Sequence, residues 1–150
     1  MIRALFDVDV LLDVIESRPK YVEPSAEALA GVEEGHVEGF VAGHTMPIVF
    51  YLVEKHRGRA AAYEGMKLLL RLLRVVPVDR DRLTQALGWE WSDFEDALQA
   101  ACAMHVGADV LVTRNPGDYA RAPIAIQTPE QFLARPELLT APPEDARERS

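Results

Sequence analysis

Short apolar runs alternate with longer amphipathic segments along the chain. The runs are rich in β-branched and aromatic residues and are bounded by turn residues, which is typical of strands. They predict strands at residues 2–6, 38–42, 75–78, 110–113 and 124–126. The segments between them predict helices at residues 8–16, 24–34, 47–56, 59–73, 80–87 and 93–106, with a short helix from Pro129. This alternation favours an α/β fold, a three-layer α/β/α sandwich with a parallel sheet of four to five strands.

Length and composition indicate one globular domain followed by a tail. The chain has 150 residues, of which 49% are apolar, and about 100 to 200 residues make one domain. We assign residues 1–135 to this domain. Residues 136–150 are rich in proline and charge and contain few apolar side chains, which predicts a mobile tail.

Charge and apolar content narrow the classes of function. The formal net charge is -8, and an acidic protein that binds nucleic acid must gather its basic residues locally or neutralise some of its acids with metal. No apolar run approaches the roughly 20 residues of a membrane span. Carboxylates near the N-terminus also exclude a signal peptide. These features predict a cytoplasmic protein with no membrane partner.

The first candidate site residues follow the first predicted strand, in the sequence ALFDVDVLLDV. Asp7 lies at the end of that strand, where a parallel sheet places its ligand sites. With nothing in the sequence to neutralise it, a carboxylate there is costly, which favours a functional role for Asp7. Asp9 has two interpretations: it caps the following helix, or it belongs to the site.

A second group of acids opens a later predicted helix, in the sequence WEWSDFEDALQAACAMHV. Ser92 and Glu95 have the spacing of a capping box, which explains Glu95 structurally. Asp93 and Asp96 remain, three residues apart on one side of the first turn. Because two acids on one side repel each other, this pair suggests a bound cation.

The third group follows the fourth predicted strand. Thr113 ends that strand, and Asn115 and Asp118 follow within the turn-forming sequence RNPGDY. A turn explains these residues when they are taken alone. Together, however, the three segments deliver oxygen ligands to one edge of the predicted sheet, which favours Mg²⁺ or Mn²⁺. Such an ion can activate water for attack on phosphorus.

With these motifs the chain resembles the PIN-domain family, and in particular the VapC-type ribonuclease toxins of type II toxin–antitoxin modules. The resemblance runs from ALFDVDVLLDVIESRP through DFEDALQAACAMHVGADVLVTRNPGDY to IQTPEQFL and omits only the tail. It implies an acidic pocket that holds Mg²⁺ or Mn²⁺ and cleavage of single-stranded RNA. It also implies that Asp7 and Asp96 hold the metal and that Asp93 and Asp118 are further catalytic acids. The accessory residues are Asp9, Thr45, Thr113 and Asn115.

Two positions depart from the family pattern. Asp9 stands where many members have asparagine, which adds a negative charge. Ile48 stands where many members have a glutamate, three residues after a threonine, so one usual acid is missing. The threonine itself, Thr45, is present and is also explained as a helix cap ahead of Pro47. An active ribonuclease and a PIN-fold binding module with lapsed catalysis therefore both remain open.

A phosphatase of the haloacid-dehalogenase type is a further hypothesis, because FDVDV after a strand is similar to its nucleophile motif. That family continues with Gly-Thr and uses a late lysine. Here Val10 and Leu11 follow the motif, and the last lysine is Lys67. The ribonuclease hypothesis is therefore favoured.

Basic residues are concentrated between residues 55 and 82, where eight basic side chains stand against three acidic ones. A basic stripe favours contact with an RNA backbone. A solvated helix face is the alternative, because Lys67, Arg71 and Arg74 fall on one predicted helix face. The candidate RNA-binding residues are Lys55, Arg57, Lys67, Arg71 and Arg74. Trp89 and Trp91 are more typical of packing than of stacking on bases.

The helices at residues 48–53 and 66–73 are more apolar than one side of a small sheet requires. This excess predicts a homodimer interface or a groove for a cognate antitoxin. Cys102, the single cysteine, lies among small residues and is expected to be buried rather than reactive.

Overall fold

The central strands are apolar at nearly every position, which is the pattern of strands buried on both faces. The computed structural model describes residues 1–138. Its strands are β1 Ile2–Phe6, β2 Val37–Ala42, β3 Arg74–Val76, β4 Val110–Val112 and β5 Ala125–Gln127. All neighbouring pairs are parallel, and the strand order is β3-β2-β1-β4-β5. The predicted α/β fold class is confirmed.

Helices cover both faces of this sheet. Their bounds are α1 Val8–Ile15, α2 Val22–Glu33, α3 Thr45–Arg57, α4 Arg59–Leu72, α5 Arg80–Trp89, α6 Phe94–His105 and α7 Pro129–Leu133. Alternate side chains of a strand point to opposite faces of the sheet. On one face, Ile2, Ala4 and Phe6 of β1 pack with helices α1, α2, α3, α4 and α7 in the larger core cluster. Leu5 joins Cys102 of α6 in the second cluster, and α5 packs on α6. The sandwich therefore has three layers, and the buried position predicted for Cys102 is confirmed.

Four predicted boundaries differ from the structure by two residues: the end of α5, at Trp89, and three others that lie beside prolines. Helices α2 and α3 begin at Val22 and Thr45, two residues before the prolines that mark their predicted starts. Proline lacks an N–H, which the first turn of a helix does not need, so it fits several positions of that turn. Strand β3 ends at Val76, because Pro77 cannot donate a hydrogen bond to the sheet.

The division at residue 136 stays a prediction. Pro136–Leu138 form a short 3₁₀ helix, and the Leu138 side chain packs against the larger core cluster. The rest of the predicted tail, residues 139–150, lies outside the described residues. Within residues 1–138 no helix is both long and apolar enough to cross a membrane. The cytoplasmic location stays a prediction.

The strand order reverses between β1 and β4, and the crevice at such a point is where open α/β sheets bind ligands. Asp7 directly follows β1, and Thr113 directly follows β4. Thr45 follows β2 after a short turn. In the first two turns of α6, Gln99 donates a hydrogen bond to Asp7, and Asp96 accepts one from Tyr119 after β4. Four separate segments therefore meet at one edge of the sheet.

Candidate active site

Asp7 is held at the end of β1 by three hydrogen-bond donors. Its Oδ1 accepts hydrogen bonds from the Val8 N–H at 2.7 Å and the Gln99 amide at 3.3 Å, and its Oδ2 accepts one from the Thr113 hydroxyl at 2.8 Å. Asp7 is therefore hydrogen-bonded and not unpaired, although all three donors are neutral groups. Asp7 is also the N-cap of α1, which rules out that role for Asp9. Burial nevertheless raises the pKa of Asp7 above its ordinary value.

Gln99 connects Asp7 to the start of α3. Its side chain is buried, and its Nε2 donates a hydrogen bond to the Thr45 hydroxyl at 2.7 Å as well as to Asp7. The predicted capping role of Thr45 is wrong, because His44 takes the cap position and Thr45 lies inside the helix. Sequence reasoning missed Gln99. Its one signal is a long polar side chain in an otherwise small and apolar segment.

Asp96 lies in the first turn of α6. The cap of this helix is Asp93, whose Oδ1 accepts a hydrogen bond from the Asp96 N–H at 3.1 Å. The predicted capping box of Ser92 and Glu95 is therefore wrong. Both Ser92 and Asp93 are good caps, and the charge of an aspartate interacts favourably with the positive end of the helix dipole. Asp93 thus supports the helix and adds negative charge beside Asp96.

The Tyr119 hydroxyl lies between Asp96 and Asp7. It donates a hydrogen bond to Asp96 Oδ1 at 3.1 Å and also interacts with Asp7. Burial, followed by the charge of Asp93, raises the pKa of Asp96 to about 7, and the charges of Asp7 and Asp118 add to this rise. Tyr119 ends the 3₁₀ helix Pro116–Tyr119. Sequence reasoning missed it, because a tyrosine there is equally typical of the core.

The loop after β4 contacts Asp9. Asn115 Nδ2 donates a hydrogen bond to Asp9 Oδ2 at 3.0 Å, and an Arg114 nitrogen lies 3.9 Å from Asp9 Oδ1. The same guanidinium pairs with the fully buried Asp13, with Nε and Oδ2 2.8 Å apart. Asp9 therefore has partners within the chain, and its charge raises the pKa of Asp7.

Asp7 and Asp96 fit a hard divalent cation. Burial raises the pKa of both, and each carboxylate also has another acid beside it, so a cation at this point relieves both costs. Within residues 1–138 no group of three or more His, Cys, Asp or Glu side chains is arranged to hold a metal. Ile48 supplies no ligand. Mg²⁺ is commonly held by one or two carboxylates, with water and phosphate in the remaining positions.

An open cavity of about 710 Å³ adjoins Asp96, a size within the range of about 300 to 1,000 Å³ found for ligand pockets. Its walls include Asp96, Asp118, Trp91 and Arg121. Trp91 stacks on Trp89 with the ring centroids 5.4 Å apart, so the predicted packing role of the tryptophans is confirmed. Trp91 additionally presents part of its surface to the cavity.

The basic residues do not share one helix face. Helix α4 ends at Leu72, so Arg74 lies on β3 and pairs with Glu38 at 2.9 Å. The predicted alignment of Arg74 with Lys67 and Arg71 is therefore wrong. The alignment assumed that the helix continued to residue 74.

Two further basic residues have contacts within the chain. Lys67 pairs with Glu64 at 3.2 Å, and Arg57 donates a hydrogen bond to the main-chain oxygen of Glu16 at 2.6 Å. Lys55 and Arg71 are exposed. A role in RNA binding for these basic residues stays a prediction.

Comparisons with known proteins find the same fold. A family model described as "PIN domain" matches residues 3–116, and a comparison with curated proteins gives no match. A sarcin-ricin-loop-cleaving toxin, VapC20 of Mycobacterium tuberculosis, is 16% identical, with a TM-score of 0.67 over 79% of this chain and 94% of that one. A toxin–antitoxin complex from Klebsiella pneumoniae gives 22% identity and a TM-score of 0.65, covering 84% and 97%. DNA-bound VapBC from Salmonella typhimurium is 18% identical, with a TM-score of 0.65 over 86% of this chain and 99% of that one.

Proposed function

Because the chain belongs to the PIN domain family, we propose that it is a metal-dependent endoribonuclease that cuts single-stranded RNA and acts as the toxin of a type II toxin–antitoxin pair. The observation that carries this proposal is the pair of Asp7 and Asp96, joined through Tyr119 where the strand order reverses. The likeness to solved toxins supports the toxin role. Family membership also removes the phosphatase alternative.

Asp7 and Asp96 are the residues that would hold the ion, either Mg²⁺ or Mn²⁺. When bound, such an ion activates water and stabilises the charge that develops on a phosphate. The chain itself orients the two carboxylates, because Thr113 donates a hydrogen bond to Asp7 and Tyr119 donates one to Asp96. The further catalytic acids in this proposal are Asp93 and Asp118.

The cavity beside Asp96 is the proposed position of the RNA strand. Trp91 offers an aromatic surface to an unpaired base, and Arg121 offers a positive charge to the backbone. The cavity is otherwise rich in carboxylates, which repel a polyanion in the absence of metal. RNA binding is therefore expected to depend on the divalent ion. The remaining basic candidates, Lys55 and Arg71, are exposed and available to a longer strand.

Exposed apolar side chains on α3 and α4 are the proposed contact surface for a cognate antitoxin or for the second copy of a homodimer. Tyr51 and Leu70 are 62% and 59% exposed, which is unfavourable for large apolar groups that have no partner. The similar structure from Klebsiella pneumoniae is a toxin–antitoxin complex. This likeness supports an antitoxin as one partner.

A PIN-fold binding module with lapsed catalysis is the second candidate. It is favoured by Ile48, which leaves the site without one of the acids usual in the family, and by the partners that Asp9 already has within the chain, Asn115 and Arg114. In this alternative the fold acts through its partner surface alone.

Cleavage of single-stranded RNA with Mg²⁺ or Mn²⁺ distinguishes the two candidates. We expect wild-type protein to cut, and Asp7→Asn and Asp96→Asn to lose activity by at least about 100-fold, the scale of removing a group that acts on the transition state. Asp81→Asn is the matched control, because Asp81 is an exposed aspartate of α5. Activity that survives both site substitutions, or an excess of EDTA, contradicts the ribonuclease proposal.

A further inference from the structure

The Tyr119 hydroxyl makes hydrogen bonds that a cation at this site needs to replace. It donates to Asp96 Oδ1 at 3.1 Å and interacts with Asp7. A phenol hydroxyl has one proton, so it serves one carboxylate oxygen at a time. The hydroxyl thus partly satisfies two acids whose like charges repel each other.

The tyrosine ring cannot easily move aside. Tyr119 is 1% exposed and packs in the second core cluster, and its ring meets Trp91 edge-on with centroids 6.3 Å apart. The oxygen therefore stays near the carboxylates, and only the O–H bond is free to rotate. A cation bound to the same carboxylates repels the hydroxyl proton, so the hydroxyl loses its hydrogen-bond acceptor.

Other donors at the site do not compete in this way. The Thr113 hydroxyl after β4 and the Val8 N–H at the start of α1 donate hydrogen bonds to Asp7 and not to Asp96. The Gln99 amide donates to Asp7 and to Thr45. Tyr119 is distinct, because it contacts both proposed metal ligands. Each of the two acids can therefore either accept a hydrogen bond from Tyr119 or bind the cation.

We propose that the Tyr119 hydroxyl competes with the divalent cation for Asp96 and Asp7 and thereby sets the metal affinity of the site. This inference rests on the proposed function, because it takes these two acids as the metal ligands. Tyr119 acts here as a positioning residue. Its hydroxyl orients the carboxylates when no metal is bound. Because that hydrogen bond must break when the metal binds, it also weakens the affinity for the metal.

Calorimetric titration of metal-free protein with MnCl₂ tests this competition. In Tyr119→Phe the dissociation constant is expected to fall about tenfold, the order expected when one hydrogen bond to a carboxylate need not be broken. Tyr63→Phe is the matched control, because Tyr63 is 48% exposed and lies on α4; its dissociation constant should equal that of the wild type. An unchanged or weaker affinity in Tyr119→Phe overturns the inference, since a hydroxyl that ligates the metal gives the weaker result.

A second measurement uses a protein that keeps the hydroxyl, so it remains valid if Tyr119→Phe fails to fold. The chain has four tyrosines, and labelling with 3-fluorotyrosine gives a ¹⁹F resonance for each. The Tyr119 resonance is expected to shift as Mg²⁺ is added, while that of Tyr51 stays in place. A Tyr119 resonance that does not move, in protein that binds Mg²⁺ by calorimetry, overturns the inference.

The outcomes separate this inference from the proposed function. Metal binding that is equal in wild type and Tyr119→Phe, and lost in Asp96→Asn, leaves the metal site standing and removes the competition. Binding by neither wild type nor Tyr119→Phe removes both. Binding that appears only in Tyr119→Phe supports the competition in its strongest form.

Discussion

Asp96 is the residue at which burial and charge act together most strongly. It lies near Asp93, Asp7 and Asp118, and the one hydrogen bond that opposes this repulsion at its side chain comes from the Tyr119 hydroxyl. Its ionised form is therefore costly in the metal-free protein. The pKa of about 7 means that the acid is only partly ionised at neutral pH.

Replacing Asp96 by asparagine is expected to reduce the pH dependence of stability. The pKa of an aspartate is ordinarily 3.8, whereas that of Asp96 in the fold is about 7. Between these values the folded state binds more protons than the unfolded state, so the free energy of unfolding falls as pH rises and levels off above about 7. Asp96→Asn lacks this contribution. Urea denaturation in EDTA, at a series of pH values from about 4 to 8, measures the difference.

Asp81→Asn is the control for this series, because it removes an exposed aspartate and leaves the site unchanged. The raised pKa values of Asp7 and Asp13 contribute a decline of the same sign, which both variants keep. A decline that is equally steep in Asp96→Asn and Asp81→Asn contradicts the assignment of a raised pKa to Asp96.

At the scale of elements, the N-terminus of α6 serves both the helix and the site. Asp93 accepts the hydrogen bond that caps the helix, and its charge lies beside Asp96. The same side chain therefore stabilises α6 and destabilises the ionised acid pair. Asparagine can cap a helix as well as aspartate does, which allows the two effects to be separated.

Two substitutions of Asp93 are expected to differ in stability. Asp93→Ala loses the cap and lowers the free energy of unfolding by about 1 kcal/mol. Asp93→Asn keeps the cap and removes a like charge from Asp96, so its stability is expected to equal or exceed that of the wild type. Chemical denaturation at pH 7 in EDTA measures both. Equal losses in the two variants would show that the charge, and not the cap, stabilises α6.

The elements and the main acids could be predicted from the sequence. Strands that are buried on both faces give continuous apolar runs, and the carboxyl ends of parallel strands share one edge. These two rules locate Asp7 and Thr113 on the site. The spacing of Asp93 and Asp96 indicated a cation, and the resemblance to a known family assigned Asp96 as a metal ligand.

Neutral polar partners could not be predicted in the same way. Gln99 and Tyr119 occupy buried positions where an apolar side chain fits equally well, and their partners are distant in the chain. The cap of α6 was also ambiguous, since Ser92 and Asp93 are adjacent and both suit that position. The distances between side chains in the folded protein decide which residue takes each of these roles. The local spacing of residues in the sequence does not specify those distances.

At the scale of the whole molecule, the acid pair joins segments from both ends of the domain. Asp7 directly follows the first strand, Asp96 belongs to α6, and Tyr119 follows β4. These segments also include the central strands of the sheet. A ligand that binds both acids therefore stabilises the entire fold rather than one loop.

Mn²⁺ is expected to stabilise the whole protein against unfolding. At a free concentration of 100 times the dissociation constant, a single site adds about 2.7 kcal/mol, which raises the Tm of a domain of this size by roughly 5 to 10 °C. Thermal unfolding with and without Mn²⁺ measures this rise, and Asp96→Asn is expected to lack it. A wild-type protein whose Tm does not respond to millimolar Mn²⁺ favours the binding module with lapsed catalysis.

The spacing of the site along the chain also has a consequence for synthesis. Thr113, which donates a hydrogen bond to Asp7, follows it by 106 residues. At about 5 to 20 residues per second a ribosome needs roughly 5 to 20 s to make that interval. During this time β1 lacks its neighbour β4, and Asp7 lacks the hydroxyl that orients it. Under the proposed function, a nascent chain is consequently inert as a nuclease until nearly the whole domain has been translated.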